Sequence, residues 1–244
     1  MINKYSYINI YENKKKNSKL SSQILYGEKF TILKKYKDWY RIKTSYDKYE
    51  GYIKKKKFEE FNFKPTHKVS SLKANIFLKP DRNSQIKMKL SFSSLLHVKS
   101  SKKGFLNFDN YWIQKSDVVP LNYREKIFKR ISIFRNVKYK WGGKKFDGVD
   151  CSGLIQLFYK FNNLYCPRDT GPQFRYFKRF KSIKKDAIIF WKGHVAVCLS
   201  EKKLIHAYGP KKKVIIMDIK KTIDLIKKTA KLDVIGIRWI YWQM

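Results

Sequence analysis

Three cysteines and four histidines hold most of the nucleophilic and acid–base chemistry in this chain of 244 residues. A thiol reacts as its thiolate, and the free amides and dipole at a helix N-terminus help to form one. Cys151 stands directly ahead of Leu154, Ile155, Leu157, Phe158 and Phe161, whose spacing predicts a buried helix beginning near the cysteine. Cys198 lies inside an apolar run and reads as a small buried hydrophobe. Cys166, in a turn beside Pro167, fits either a packing or a reactive role. Cys151 is therefore the candidate nucleophile, with plain packing at a helix start as the equal alternative.

A nucleophile needs a base, and the base needs a group that fixes its tautomer. His67 and His97 lie in the β-rich N-terminal half and read as ordinary surface or satisfied histidines. His194 opens one apolar run and His206 sits in the next, with their midpoint inside the polar break Ser200-Glu201-Lys202-Lys203. A hairpin closing there brings the two imidazoles within a residue or two of register. The pair could supply base and orienting group, or be two unrelated strand histidines.

The elements that must carry these residues follow from local pattern. Ile24–Glu28, Phe30–Leu33, Trp39–Lys43 and Tyr49–Ile53 are aromatic and β-branched runs between polar turns, and read as strands. After Lys64-Pro65-Thr66 come Ala74–Leu78, Ser94–Val98 and Asn110–Ile113, so the first half is either two small β units or one larger all-β domain. From Asn122 the character changes. Ile127, Ile131 and Phe134 predict a helix over Arg124–Phe134, and Ala187–Trp191, His194–Leu199 and Leu204–Tyr208 read as strands.

Composition bounds the rest. With 43% hydrophobic and 16% aromatic residues, the chain is too apolar for disorder. Its 56 Lys and Arg against 19 Asp and Glu give a formal charge of +37, which an anionic partner would explain. Lys outnumbers Arg and is spread along the whole chain, so compositional drift is favoured over a dedicated nucleic-acid surface. No cysteine pair has metal-ligand or disulfide-framework spacing. Neither a signal-peptide pattern nor a membrane-spanning apolar run is visible, which predicts a reduced, cytoplasmic setting.

Six ordered motifs resemble the NlpC family of papain-like cell-wall cysteine peptidases over residues 122–244. They are Tyr139-Lys140-Trp141-Gly142-Gly143, Asp150-Cys151-Ser152-Gly153-Leu154-Ile155-Gln156, Pro167-Arg168-Asp169-Thr170 with Gln173, Asp186–Phe190, His194–Val197 and Ile205-His206-Ala207. The resemblance implies an α+β fold in which a helix carrying the cysteine packs on an antiparallel sheet carrying the histidines. It implies Cys151 as nucleophile, His194 as base and then acid, and His206 as the polar group that orients His194. Tyr139 would join the Cys151 amide in an oxyanion hole. Asp150, Ser152 and Thr170 would hold substrate, and Asp169 would pair with a free α-amine on it. Neither metal nor cofactor is implied.

Residues 1–60 and 65–120 resemble tandem bacterial SH3-like barrels, on Leu25-Tyr26-Gly27-Glu28, Trp39, Tyr49-x-Gly51-Tyr52 and Tyr111-Trp112-Ile113. That domain order resembles γ-D-glutamyl-L-diamino-acid endopeptidases, whose first barrel walls off the cleft. Asp47, Tyr49 and Tyr52 fall in the cleft-facing segment, and Tyr49 would line the pocket for an N-terminal alanine. Two departures from the family pattern stand out: Lys185 replaces a usual glycine, and Tyr52 replaces a common tryptophan. The implied substrates are peptidoglycan-derived peptides, cut during wall recycling, with no specific nucleic acid as partner. An NlpC-type amidase or acyltransferase, and a non-catalytic wall-binding protein, are the rival functions.

Overall fold

In the computed structural model, residues 1–58, 60 and 64–239 are described. The first unit is one antiparallel sheet of β1 (Tyr7–Tyr11), β2 (Leu20–Leu25), β3 (Phe30–Lys35), β4 (Trp39–Thr44) and β5 (Glu50–Lys54), in the order β2-β1-β5-β4-β3. Alternation puts Ile8, Ile10, Ile24, Phe30, Ile42 and Ile53 in one core. Gly51 is required where β5 crosses β1, since a Cβ there would lie 2.4 Å from Ile10 Cγ2.

The second unit pairs two antiparallel sheets. Its strands are β6 (His67–Val69), β7 (Lys73–Phe77), β8 (Ile86–Ser91), β9 (Leu95–Leu96), β10 (Ser100–Lys102), β11 (Phe105–Phe108), β12 (Tyr111–Gln114) and β13 (Val118–Pro120). One sheet has the order β10-β11-β12-β7-β8 and the other β13-β6-β9. Tyr26 of the first unit is buried in this core and donates its hydroxyl to Asp109. The units touch closely at Gly27, whose φ is +78° and whose added Cβ would fall 2.2 Å from the Leu95 carbonyl oxygen. The expected strand through Glu28 therefore stops at Leu25, because the chain turns at that contact.

The third unit contains a short pair, β14 (Lys144–Lys145) and β15 (Gly148–Val149), then α1 (Cys151–Phe161) and α2 (Thr170–Tyr176). Strands β16 (Lys178–Phe180), β17 (Ile188–Trp191), β18 (His194–Cys198), β19 (Lys203–Tyr208), β20 (Lys213–Asp218) and β21 (Val234–Trp239) follow, with α3 (Ile219–Ala230) before the last. They form a six-stranded sheet in the order β16-β21-β17-β18-β19-β20. Strand alternation sorts the sheet's side chains onto two faces. Ile188, Phe190, Val195, Val197, Ile205 and Ala207 pack with α1, while Ile189, Trp191, Ala196, Cys198 and Leu204 pack with Ile219 and Ile226 of α3. The α+β class expected from the sequence is thus observed. No helix among the described residues is long and apolar enough to cross a membrane.

The helix expected over Arg124–Phe134 is absent. Ile127, Ile131 and Phe134 are buried, but the segment runs in i→i+3 turns and ends in a short 3₁₀ helix, Ile131–Phe134. Arg130 reaches back five residues to Glu125 at 2.8 Å and also donates to the Tyr123 hydroxyl. Residues five apart do not face each other on an α-helix, so this ion pair belongs to a tighter turn. The burial pattern was legible in the sequence, and the backbone that achieves it was not.

Candidate active site

Helix α1 is buried along its whole length, so its N-terminus is fixed by packing. Asp150 caps it: Oδ1 accepts from the Gly153 amide at 2.7 Å, and Oδ2 accepts from the Gly142 amide at 2.8 Å. Buried Arg168 grips the same carboxylate at 3.0 and 2.6 Å, and donates to Ser152 Oγ at 3.0 Å and Ser22 Oγ at 3.1 Å. These four donors, with the Ser152 hydroxyl at 3.4 Å, occupy the Asp150 lone pairs, so this side chain frames the helix start. The same side chain also lines the cavity beside Cys151. Arg168, read in the sequence only as a neighbour of Asp169, is the residue that sequence reasoning missed.

Cys151 Sγ lies 4.0 Å from the carbonyl oxygen of Gly193, the residue before His194. The β17–β18 hairpin makes this possible: Trp191 pairs with His194 across the two-residue turn, where Gly193 has φ +76°. The β18–β19 register, Val197 to Ile205, sets His206 two residues from direct opposition to His194. Both imidazoles face the same way, and His194 Nε2 lies 2.9 Å from His206 Nδ1. His206 is buried, its ring stacked on Tyr208 at 4.7 Å, and its Nε2 lies 3.4 Å from Met217 Sδ.

These contacts define the tautomers. A thioether sulfur only accepts, so His206 carries its proton on Nε2 and offers the Nδ1 lone pair. His194 then donates from Nε2, which leaves its Nδ1 bare as a base. Burial lowers the His194 imidazole to about 4. Burial, with His194 beside it, lowers His206 to about 3. Burial and the Asp150 carboxylate push the Cys151 thiol up to about 12, against the Val195 and Ser152 amides that favour the thiolate. The thiol, against the Gly193 carbonyl, and the imidazole of the following residue are consequently both neutral at rest.

A cavity of about 250 Å³ opens over Cys151. Tyr139, Ser152, Asp169 and Thr170 line it from the third unit, and Glu12, Ser21 and Tyr49 from the first. Burial raises the Tyr139 hydroxyl, with Cys151 and Asp150 adding to the effect, so it remains a hydrogen-bond donor at neutral pH. Burial and the nearby Asp169 carboxylate raise Tyr49, whereas a hydrogen bond with Ser21 opposes this. Asp169 itself is raised by burial, against the pull of Arg168. Glu12 and Ser21 entered the site without a sequence signal that separated them from ordinary surface residues, whereas the exposed Trp141 lies in the Tyr139–Gly143 motif, which had given it no role.

Two other expected positions lie elsewhere. Asp47 accepts from Gln156 of α1 at 2.8 Å and from Thr44 and the Tyr49 amide, so it joins the first unit to the catalytic helix. Tyr52 faces Tyr11 across the β1–β5 pairing and Tyr36 at 6.1 Å, outside the cavity lining. Glycine is not needed at Lys185, because the positive φ of that turn, +68°, falls on Asp186.

A thiol at a buried helix N-terminus, set against a histidine relay on an antiparallel sheet, is the arrangement of a papain-like cysteine peptidase. The chain belongs to the NlpC/P60 family, whose profile matches residues 136–229, and it is a cysteine peptidase of that family. A bacterial dipeptidyl-peptidase SH3 domain profile matches residues 10–58. Among similar proteins, a γ-D-glutamyl-L-lysine dipeptidyl-peptidase of Bacillus subtilis is 26% identical over 230 residues, covering 84% of this chain and 77% of that protein. A probable endopeptidase of Haemophilus influenzae is 30% identical over 113 residues, covering 38% of this chain and 70% of that protein. The crystal structure of an NlpC/P60 family protein from Bacillus cereus superposes with a TM-score of 0.83 at 19% identity, covering 97% of this chain and 98% of that one, which establishes the shared fold.

Proposed function

We propose that this chain hydrolyses the γ-D-glutamyl–diamino acid bond of wall peptides that carry a free N-terminal L-Ala. The observation that carries this reading is the composite cavity, in which Cys151 and Asp169 share one pocket with Glu12, Ser21 and Tyr49 of the first unit. Wall material with a free peptide amine can place that ammonium against Asp169 and Glu12, with the alanine methyl toward Tyr49. Ser152 and Thr170 line the same cavity, and there they would hold the D-Glu carboxylate. The names of similar proteins, γ-D-glutamyl-L-lysine dipeptidyl-peptidase and dipeptidyl-peptidase 6, support release of such a dipeptide. Residues 65–120 are read as a second SH3-like unit that braces the first.

In this mechanism the Cys151 thiol gives its proton to His194 Nδ1 as Sγ attacks the γ-carbonyl carbon. The oxyanion takes hydrogen bonds from the Tyr139 hydroxyl and the Cys151 amide. His194, held by His206, returns the proton to the departing diamino-acid amine, leaving a thioester. Water then gives a proton to His194 as it attacks the thioester carbonyl, and the released sulfur recovers that proton. A free L-Ala amine exists only after the peptide has left its sugar chain, so the activity fits recycling of released peptides within the cytoplasm.

The test is mass-spectrometric analysis of L-Ala-γ-D-Glu-diamino acid peptides with free and acetylated N-termini. Release of L-Ala-D-Glu from the free peptide only, with a loss of about 10⁴-fold or more in Cys151→Ala, is expected. Equal cleavage of the acetylated peptide would refute the amine-gated cavity, and no cleavage of either would refute the substrate class.

A further inference from the structure

The peptidase cavity is lined by Glu12, Asp150 and Asp169 and by no lysine among the described residues, although the chain carries +37. The opposite holds where the first and second β units meet. There a cavity of about 600 Å³ is lined by Lys54, Lys56 and Lys87. It adjoins a second, of about 460 Å³, lined by Lys89 and Lys145. Ser6, Tyr7, Lys87 and Met88 line both, so the two form one continuous groove. Its acidic side chain, Asp147, is engaged by Lys145 at 3.0 Å. The two sites thus differ in the sign of the charge that lines them.

We propose that this groove binds a linear phosphodiester polymer with a polyol backbone, such as a poly(glycerol phosphate), at a site separate from the peptidase pocket. Lysine ammoniums are point charges that accept a phosphate from many directions, which suits a flexible chain with a repeating charge. Lys54, Lys87 and Lys89 are exposed along the groove and come from both β units. Single-stranded nucleic acid fits less well. It gains affinity by stacking bases on open aromatic faces, and here two of the lining tyrosines already carry a lysine over one face. Lys56 Nζ sits 4.4 Å over the Tyr5 ring and Lys145 Nζ 3.5 Å over Tyr7, while Tyr11 packs edge-on against Trp39 at 5.5 Å. A polyol phosphate needs no such platform.

The experiment measures binding of a fluorescent poly(glycerol phosphate) oligomer to the full chain between about 50 and about 200 mM salt. A single-stranded DNA of equal phosphate number is the competitor. Three proteins are compared: wild type, the groove variant Lys54→Gln/Lys87→Gln/Lys89→Gln, and an equally neutralised control, Lys220→Gln/Lys221→Gln/Lys228→Gln, on the exposed face of α3. Expected results are salt-sensitive binding by wild type and control, a loss of about 10-fold or more in the groove variant by removal of phosphate contacts, and weaker competition by DNA. Peptide hydrolysis unchanged in both variants confirms that they fold. Equal losses in groove and control variants would reduce the effect to net charge and overturn the proposal. Tighter binding of the DNA, or no binding of the polyol phosphate, would overturn it as well.

Discussion

The two ends of α1 solve opposite problems. At the N-terminus, Arg168 and two amides converge on Asp150, and Cys151 is left at the edge of a cavity with its thiol neutral. At the C-terminus no reactive group is presented, and two lysines are driven into the interior. Lys68, fully buried, donates to the Phe161 carbonyl of the helix end and to the Tyr123 carbonyl at 2.7 Å. Lys160 donates to Glu28 at 2.6 Å and to the Ser93 carbonyl at 3.1 Å, tying the helix to both β units. Cations suit the negative end of a helix dipole, as an incipient thiolate suits the positive end. One helix therefore serves as the reactive element and as the peg on which all three units are hung.

The comparison can be broken by substitution. Arg168→Met leaves Asp150 buried and unpaired, and should cost about 3–5 kcal/mol of stability together with most of the turnover, read by urea unfolding and peptide cleavage. A loss below about 1 kcal/mol would mean that water reaches Asp150 and that the N-terminal clamp is not closed. The thiol's resting state is tested by alkylation with iodoacetamide. With Cys151 pushed up to about 12 by burial, its rate should climb about tenfold per pH unit through neutral and mildly alkaline pH, in step with the thiolate fraction. A plateau beginning in mildly acidic solution would instead reveal a preformed thiolate–imidazolium pair. Cys166 and Cys198, fully buried, should stay unmodified in the native state.

Lys68→Met sharpens the other end. It removes no acid's sole partner and should cost about 1–2 kcal/mol at neutral pH, through carbonyls left without a donor. Burial, with Arg124 nearby, lowers the Lys68 ammonium from 10.5 to about 8, against the attraction of Glu125. Between those values the unfolded chain binds the proton that the native chain has released, so native stability from this group rises with pH. The gap between wild type and variant should widen above about 8 and level off near 10.5. A gap that narrows over the same interval would show that the ammonium is favoured by its carbonyl partners over water.

The parts of the site legible in the sequence were those carried by short-range pattern. The apolar run after Cys151 defined a buried helix beginning near it, and the polar break at residue 200 brought His194 to His206. Strand ends between Ala187 and Tyr208 fell within a residue of expectation because alternation and turn chemistry act locally. β1, α2 and α3, short or weakly apolar, gave no comparable signal.

What only the tertiary structure decided are the contacts between segments distant in the chain. Arg168 meets Asp150 from 18 residues away, and Glu12, Ser21 and Tyr49 reach the cavity from another unit. Met217, on the next strand, selects the histidine tautomers. An amphipathic stretch closes in tight turns that bring Arg130 to Glu125. Periodicity in a sequence states which side chains must be buried together, because helix and strand geometry repeat at fixed intervals. Which polar groups then meet depends on how buried faces dock, and the unpaired cost of each such group is settled only in the packed molecule.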